Sequence, residues 1–303
     1  LVGLISICTK GFSLGVDFQG GRTYTVQFEQ PVDLEEVRSN LNDVFEMNTE
    51  VKTFGSANQI RVTTAYRIDE TSDEADQAVL TRLTEGLAKI SGNPHEIVSS
   101  QKVGPTIAND MKTRAIYAAV ASIIVIALYI LFRFRKWQFS VAAAITTAND
   151  ALVILALFSL LDGIVPFSLD IDQHFVAAIL TVVGYSINDT VVVFDRLREY
   201  LGMSNRKKDD IGETVNLAVN RTLSRTVVTS LTVIFVLAVL FVFGGEVIRG
   251  FSFAILVGII VGTYSSIFLA APLIVDLTKK TTEEDLSTSK ASGNKTTLKP
   301  VKA

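Results

Sequence analysis

The chain has 303 residues, of which 49% are hydrophobic and 19% charged, with a net charge of -3. This composition excludes a disordered chain, which needs low hydrophobicity and high net charge, and a nucleic-acid binder, which needs a basic excess against phosphate. One cysteine and two histidines exclude a disulfide framework and a Cys/His zinc site.

The first residues, Leu1 to Ile7, are apolar but lack an initiator Met and a charged leader. They read as the last part of a membrane span whose beginning is missing, occupying 1–16, rather than as a signal peptide. Cys8, near its end, reads as a small buried side chain. Residues 17–110 are polar and read as a small domain outside the membrane. Arg22 to Phe28 alternates polar residues with Tyr24, Val26 and Phe28, as a strand does. After Pro31 and Asp33, Leu34, Val37, Leu41, Val44 and Phe45 recur at helical spacing. Val51–Phe54 and Gln59–Thr64 read as strands about a Gly55-Ser56 turn. Thr71–Lys89 reads as an amphipathic helix, stopped by Gly92-Asn93-Pro94, and Glu96–Val103 as a last strand. The order βαββαβ is that of a ferredoxin-like sandwich. It holds no catalytic constellation, and His95 reads as a surface loop residue. Pro105–Arg114, without Gly/Ser repeats, reads as a short lever into the membrane.

Residues 111–278 carry five apolar stretches. Ala115–Phe132, Thr226–Phe243 and Gly250–Val275 hold no charge; Phe139–Leu161 holds only Asp150, and Phe175–Phe194 only Asp189. Each is long enough to cross a hydrocarbon core of about 30 Å. Lys and Arg mark one side as cytoplasmic: Arg133, Arg135 and Lys136; Arg196, Arg198, Arg206, Lys207, Lys208 and Arg221; Lys279 and Lys280. The loops 162–174 and 244–250 fall on the other side, with the 17–110 domain. Residues 279–303, rich in Thr, Ser, Lys and Glu, read as a disordered cytoplasmic tail. The fold class is an α-helical membrane protein of six transmembrane helices, the first truncated, plus a small extracytoplasmic α+β ferredoxin-like (βαββαβ) domain.

A carboxylate inside a membrane is costly, so Asp150 and Asp189 stand out. Each has two readings: a proton site or relay, or a buried acid that fixes helix packing through hydroxyl and amide neighbours such as Asn188. By helical rise, Asp189 lies about 10 Å inward from Arg196 and Arg225 about 6 Å inward from Arg221. The similar depths predict a switchable Asp189–Arg225 pair, with simple snorkelling of Arg225 as the alternative. Ala254, Gly258, Gly262, Ser266 and Ala270 recur every fourth residue and read mostly as a face for close helix packing.

Four motifs in order resemble those of the SecF family. They are Asp17-Phe18-Gln19-Gly20-Gly21, the run Gly184 to Arg196 around Asn188-Asp189, the run Asn220 to Leu231 around Arg225, and Gly262 to Phe268. The resemblance covers nearly the whole chain except the tail. It implies an accessory subunit that uses the proton motive force to promote protein export through the Sec channel. The implied setting is the bacterial cytoplasmic (inner) membrane, as the SecF half of a SecD/SecF pair or of a fused SecDF chain. The implied partners are SecD, the SecYEG channel, a translocating preprotein and lipid, with YajC and YidC as further candidates and no nucleic acid. Asp189 and Arg225 match the family's proton-transport residues, with Asn188 and Asp150 beside them. Asp17, Gly20 and Gly21 form the motif at the membrane surface, and Gly258, Gly262 and Ser266 pack helices. No cofactor, metal or catalytic residue is implied. A proton/small-molecule antiporter of the resistance–nodulation–division superfamily and a structural subunit without ion coupling are the alternatives.

Overall fold

A computed structural model describes residues 2–70, 72–90, 92–165, 167–203 and 211–278. The expected tail at 279–303 and the basic residues Arg206, Lys207, Lys208, Lys279 and Lys280 lie outside the described residues. In chain order the elements are α1 (Val2–Thr9), α2 (Val16–Gln19), β1 (Gly21–Phe28), α3 (Leu34–Phe45), β2 (Glu50–Phe54), β3 (Ser56–Thr64), α4 (Asp73–Ala88) and β4 (His95–Val103). Five long helices follow: α5 (Pro105–Phe134), α6 (Trp137–Leu161), α7 (Gln173–Met203), α8 (Ile211–Phe243) and α9 (Glu246–Ser265). The five expected apolar stretches lie in these helices, which are long and apolar enough to cross a membrane.

The sheet has the order β2-β3-β1-β4, with every neighbouring pair antiparallel. The alternation in β1 sends Tyr24, Val26 and Phe28 to one face. There they meet Val37, Leu41 and Phe45 of α3 and Val79, Leu83 and Leu87 of α4 in a single apolar core. Asp33 caps α3 by accepting from the Glu35 N–H at 2.9 Å, and Ser72 caps α4 by accepting from the Ala75 N–H at 3.3 Å. β3 begins at Ser56, earlier than expected, because the pairing with β2 continues through the Gly55 turn. His95 is the first residue of β4, not a loop residue, and its ring packs at 5.6 Å against Phe28 across the β1–β4 pair.

Arg22 lies on the same face of β1 as Tyr24, at the end of the apolar row, with a side chain only 2% exposed. Its guanidinium donates to Asp76 Oδ1 at 2.6 Å and to the carbonyls of Tyr66 at 2.7 Å, Arg67 at 3.0 Å and Glu70 at 3.3 Å. A buried charge is tolerated because each N–H it turns inward finds an oxygen.

Pro105 to Arg114, expected as a lever, is the opening of α5 itself. Pro105 sits at the first helical position, where its missing N–H costs nothing, and no glycine or further proline interrupts the 30 residues. Cys8 is exposed, contrary to expectation. The buried side of α1 carries Ser6, whose Oγ lies 3.0 Å from Ser159 Oγ, and Cys8 is two residues round the helix from it. After Ser265 the last helix loosens into a π turn, Ser266–Ala270, before it resumes.

The chain divides into two compact units. The first comprises 2–122, 151–183 and 232–259 and holds the sheet, α1 to α4 and the segment 162–172. The second comprises 123–150, 184–231 and 260–278. Its core is Phe134, Phe139 and Phe194 in mutual ring contact, with Ile130, Leu197, Ala271 and Ile274 around them.

Candidate functional site

The first candidate is the motif around Gly20 and Gly21. Their φ angles, 76° and 143°, lie where side chains are strained, and glycine allows the chain to turn from α2 directly into β1. This turn holds Asp17 in place. Asp17 Oδ1 accepts from Gln101 Nε2 of β4 at 3.2 Å, and Oδ2 accepts from the Gln173 N–H, the first residue of α7, at 3.1 Å. A carboxylate on an otherwise unpaired amide at a helix N-terminus is stabilising. Asp172 completes that cap by accepting from the Phe175 N–H at 2.8 Å.

Beside this turn, the segment 162–172 docks through Asp170. Its carboxylate accepts from Ser13 Oγ and Lys52 Nζ at 2.7 Å each and from Ser168 Oγ at 2.6 Å, with Arg61 at 3.5 Å. Burial alone would raise the Asp170 carboxyl, but the Lys52 charge and the bonds from Lys52, Ser168 and Ser13 outweigh it and hold the group below its ordinary value. The stabilisation is therefore present above the unfolded value near 3.8 and lost as pH falls through the lower folded one. Asp170→Asn is expected to loosen this docking by about 1–2 kcal/mol at neutral pH and to flatten its acid dependence. Proteolytic cleavage rates at 162–172, followed against pH, check both parts.

The second candidate is a polar cluster in the second unit. Asp150 of α6 is fully buried; its Oδ2 accepts from Ser186 Oγ of α7 at 2.6 Å, while Oδ1 has no hydrogen-bond partner. Asp189, one turn beyond Ser186, is 3% exposed and accepts from Ser230 Oγ of α8 at 3.3 Å. Ser230 Oγ is 2.7 Å from Thr263 Oγ1 of α9, so one chain of hydroxyls runs from Thr263 through Ser230 to Asp189. The Tyr185 hydroxyl lies beside Ser230 and Asp189, buried and without a hydrogen bond, as is Thr226 Oγ1. Orphaned buried polar atoms are costly and rare, and three in one cluster mark a place built to take a further hydrogen, ion or water.

Small residues make this cluster possible. Ala254, Ser266 and Ala270 are buried. Gly258 lies so close to Val182 that a methyl there would overlap it. A methyl on Gly262 would stand 3.0 Å from Ser186 Cβ and Oγ. Gly262→Val is expected to push Ser186 off Asp150 and cost about 1–3 kcal/mol by overpacking, whereas Gly262→Ala is milder because Ser186 Oγ can rotate. Thermal melting of the purified chain checks the ranking.

Asn188 is on the exposed side of α7, next to the cluster but not in it. Arg225 is exposed, and the expected Asp189–Arg225 ion pair is not formed among the described residues. Arg225 instead lines a cavity of about 240 Å³ with Arg221, and beside it Arg133 of α5 pairs with Asp195 of α7 at 3.1 Å. Among the described residues, no group of three or more His, Cys, Asp or Glu could hold a metal ion. The Asp170 docking and the buried Arg22 were not foreseen from the sequence.

Five membrane-crossing helices, a four-stranded antiparallel sheet and carboxylates packed between helices define a multi-pass membrane protein with a folded polar domain. The family model "Protein export membrane protein SecD/SecF, C-terminal" matches residues 83–280, and "SecD/SecF GG Motif" matches residues 5–32. Protein translocase subunit SecF of Rhodothermus marinus is 45% identical over 91% of this chain and 87% of its own length. Protein translocase subunit SecF of Desulfurispirillum indicum is 41% identical over 90% and 85%. The crystal structure of SecDF from Thermus thermophilus, described as translocon-associated, superposes with a TM-score of 0.78 at 34% identity, over 91% of this chain. The chain spans only 36% of that longer protein. The chain belongs to the SecD/SecF family of protein export membrane proteins.

Proposed function

We propose that the chain acts as a SecF-type accessory subunit of the Sec export machinery, in which proton movement driven by the proton motive force promotes translocation of a preprotein. One observation carries the coupling: Asp150 and Asp189 are buried in one cluster of hydroxyls, and neither makes an ion pair among the described residues. A carboxyl so placed changes its charge when it takes up a proton, and its hydrogen bonds rearrange with it. The membrane potential contributes about 2.3 kcal/mol per charge per 100 mV, enough for one or two protons to bias a conformational equilibrium. Asp189 is the principal proton site, Asp150 a second one, and Asn188 and Arg225 flank the path.

On this reading the protein sits in the bacterial inner membrane with 17–110 outside, 111–278 as the bundle and 279–303 in the cytoplasm. Residues 1–16 end a sixth span. The strand order and the placement of α3 and α4 support a ferredoxin-like assignment for the outer domain. The protein works with SecD, or with a SecD half of the same chain, at the SecYEG channel, with YajC and YidC as further contacts. It moves a chain rather than catalysing a reaction. Export of a secretory precursor into vesicles that carry the wild-type chain, with and without a proton gradient, tests the coupling. Equal export in both conditions sinks it.

A further inference from the structure

Arg221 and Arg225 stand one turn apart on α8 and open onto the 240 Å³ cavity, whose other charged walls are Arg133, Arg196, Asp195 and Glu199. Asp195 is paired with Arg133 at 3.1 Å and Glu199 with Arg196 at 2.5 Å. Arg221 and Arg225 make no ion pair among the described residues, so the cavity carries an excess of two positive charges. Like charges one helical turn apart repel each other, and an anion between them removes that penalty. Val191 and Val192 add an apolar wall.

We propose that this cavity binds a phosphate group, with Arg221 and Arg225 as its principal ligands. A guanidinium presents paired donors in a fixed fork that matches phosphate oxygens, and two forks on one helix face converge on a single anion. The chemistry fits two sources. One is the headgroup of an anionic phospholipid, since Arg133 directly follows the apolar run of α5 and the two valines suit the start of a glycerol or acyl chain. The other is free phosphate. The site stands apart from proton coupling, since neither Asp150 nor Asp189 lines it.

The test uses the full chain in phosphatidylcholine nanodiscs doped with spin-labelled phosphatidylglycerol or phosphatidylcholine, and in parallel a calorimetric titration with inorganic phosphate. Preferential immobilisation of phosphatidylglycerol, lost in Arg221→Gln and partly kept in Arg221→Lys, supports the lipid source. Phosphate binding that weakens about tenfold in Arg221→Gln supports the free anion. Arg249→Gln, which removes the same charge outside the cavity, should leave both signals intact. Absence of both signals, signals that Arg221→Gln leaves unchanged, or an equal loss in Arg249→Gln overturns the proposal.

Discussion

Asp189→Asn is expected to abolish the part of export that depends on a proton gradient while leaving the chain folded and inserted. Asparagine keeps the volume of the carboxyl and can still accept from Ser230 Oγ, which lies 3.3 Å from Asp189 Oδ2. What it loses is the ability to exchange a proton near neutral pH. The expected loss is at least about tenfold in gradient-stimulated export, against little change in the residual rate. Ser230→Ala should have a smaller effect, because it breaks the hydroxyl chain from Thr263 but leaves the acid in place. Asp150→Asn separates the roles of the two acids. Asp150 already accepts one good bond from Ser186, so its amide replacement keeps the packing at Oδ2 and changes the group at the orphaned Oδ1. The ratio of export with and without a gradient, measured at matched protein levels, ranks the three. A ratio that stays at the wild-type level in Asp189→Asn removes Asp189 from the mechanism.

The second large effect is expected at Arg22. Arg22→Met keeps the aliphatic reach of the side chain but deletes its guanidinium. The carbonyls of Tyr66, Arg67 and Glu70 then lose their donor. Removing one partner of a buried charged network typically costs about 3–5 kcal/mol. Asp76, whose side chain is 46% exposed, and the edge of the turn recover some of that from water. A net cost of about 3 kcal/mol corresponds to roughly a hundredfold rise in local opening. Amide exchange in 65–76 should accelerate by that factor in the full chain, while exchange in α3 rises less. Asp76→Asn should be much milder. Bonds from Lys102 and then from Arg22 hold the Asp76 carboxyl below its usual value. Its contribution is thus present above the unfolded value and fades as pH falls through the folded one.

The gross plan was legible because it rests on periodicity. Tyr24, Val26 and Phe28 alternate, Leu34 to Phe45 recurs at helical spacing, and the five apolar runs lie where the five long helices do. Asp150 and Asp189 stood out because charge is scarce around them. What was not legible depends on pairing between remote segments or on rotation about a helix axis. Asp170 meets Lys52 across 118 residues and Arg22 meets Asp76 across 54, and no local pattern encodes either. The expected Asp189–Arg225 pair came from matching depths along two helices. Depth fixes the height of a residue but not its direction, and Arg225 is turned to the cavity it shares with Arg221. Cys8 was misplaced for the same reason, since an apolar run gives no sign of which side will be covered.

The π turn at Ser266–Ala270 has a genetic consequence. A π turn holds one residue more than the α-helical path would need. Each residue of an α-helix advances the azimuth by about 100°. Deleting a single codon within this turn would restore a regular helix and swing everything after it by about that angle. Ala271 and Ile274, now 1% exposed against the phenylalanine core, would leave it together. The helix should therefore tolerate conservative replacements within 266–270 while refusing a loss of length there. A deletion scan across the last span would show this as a short interval of intolerance to shortening.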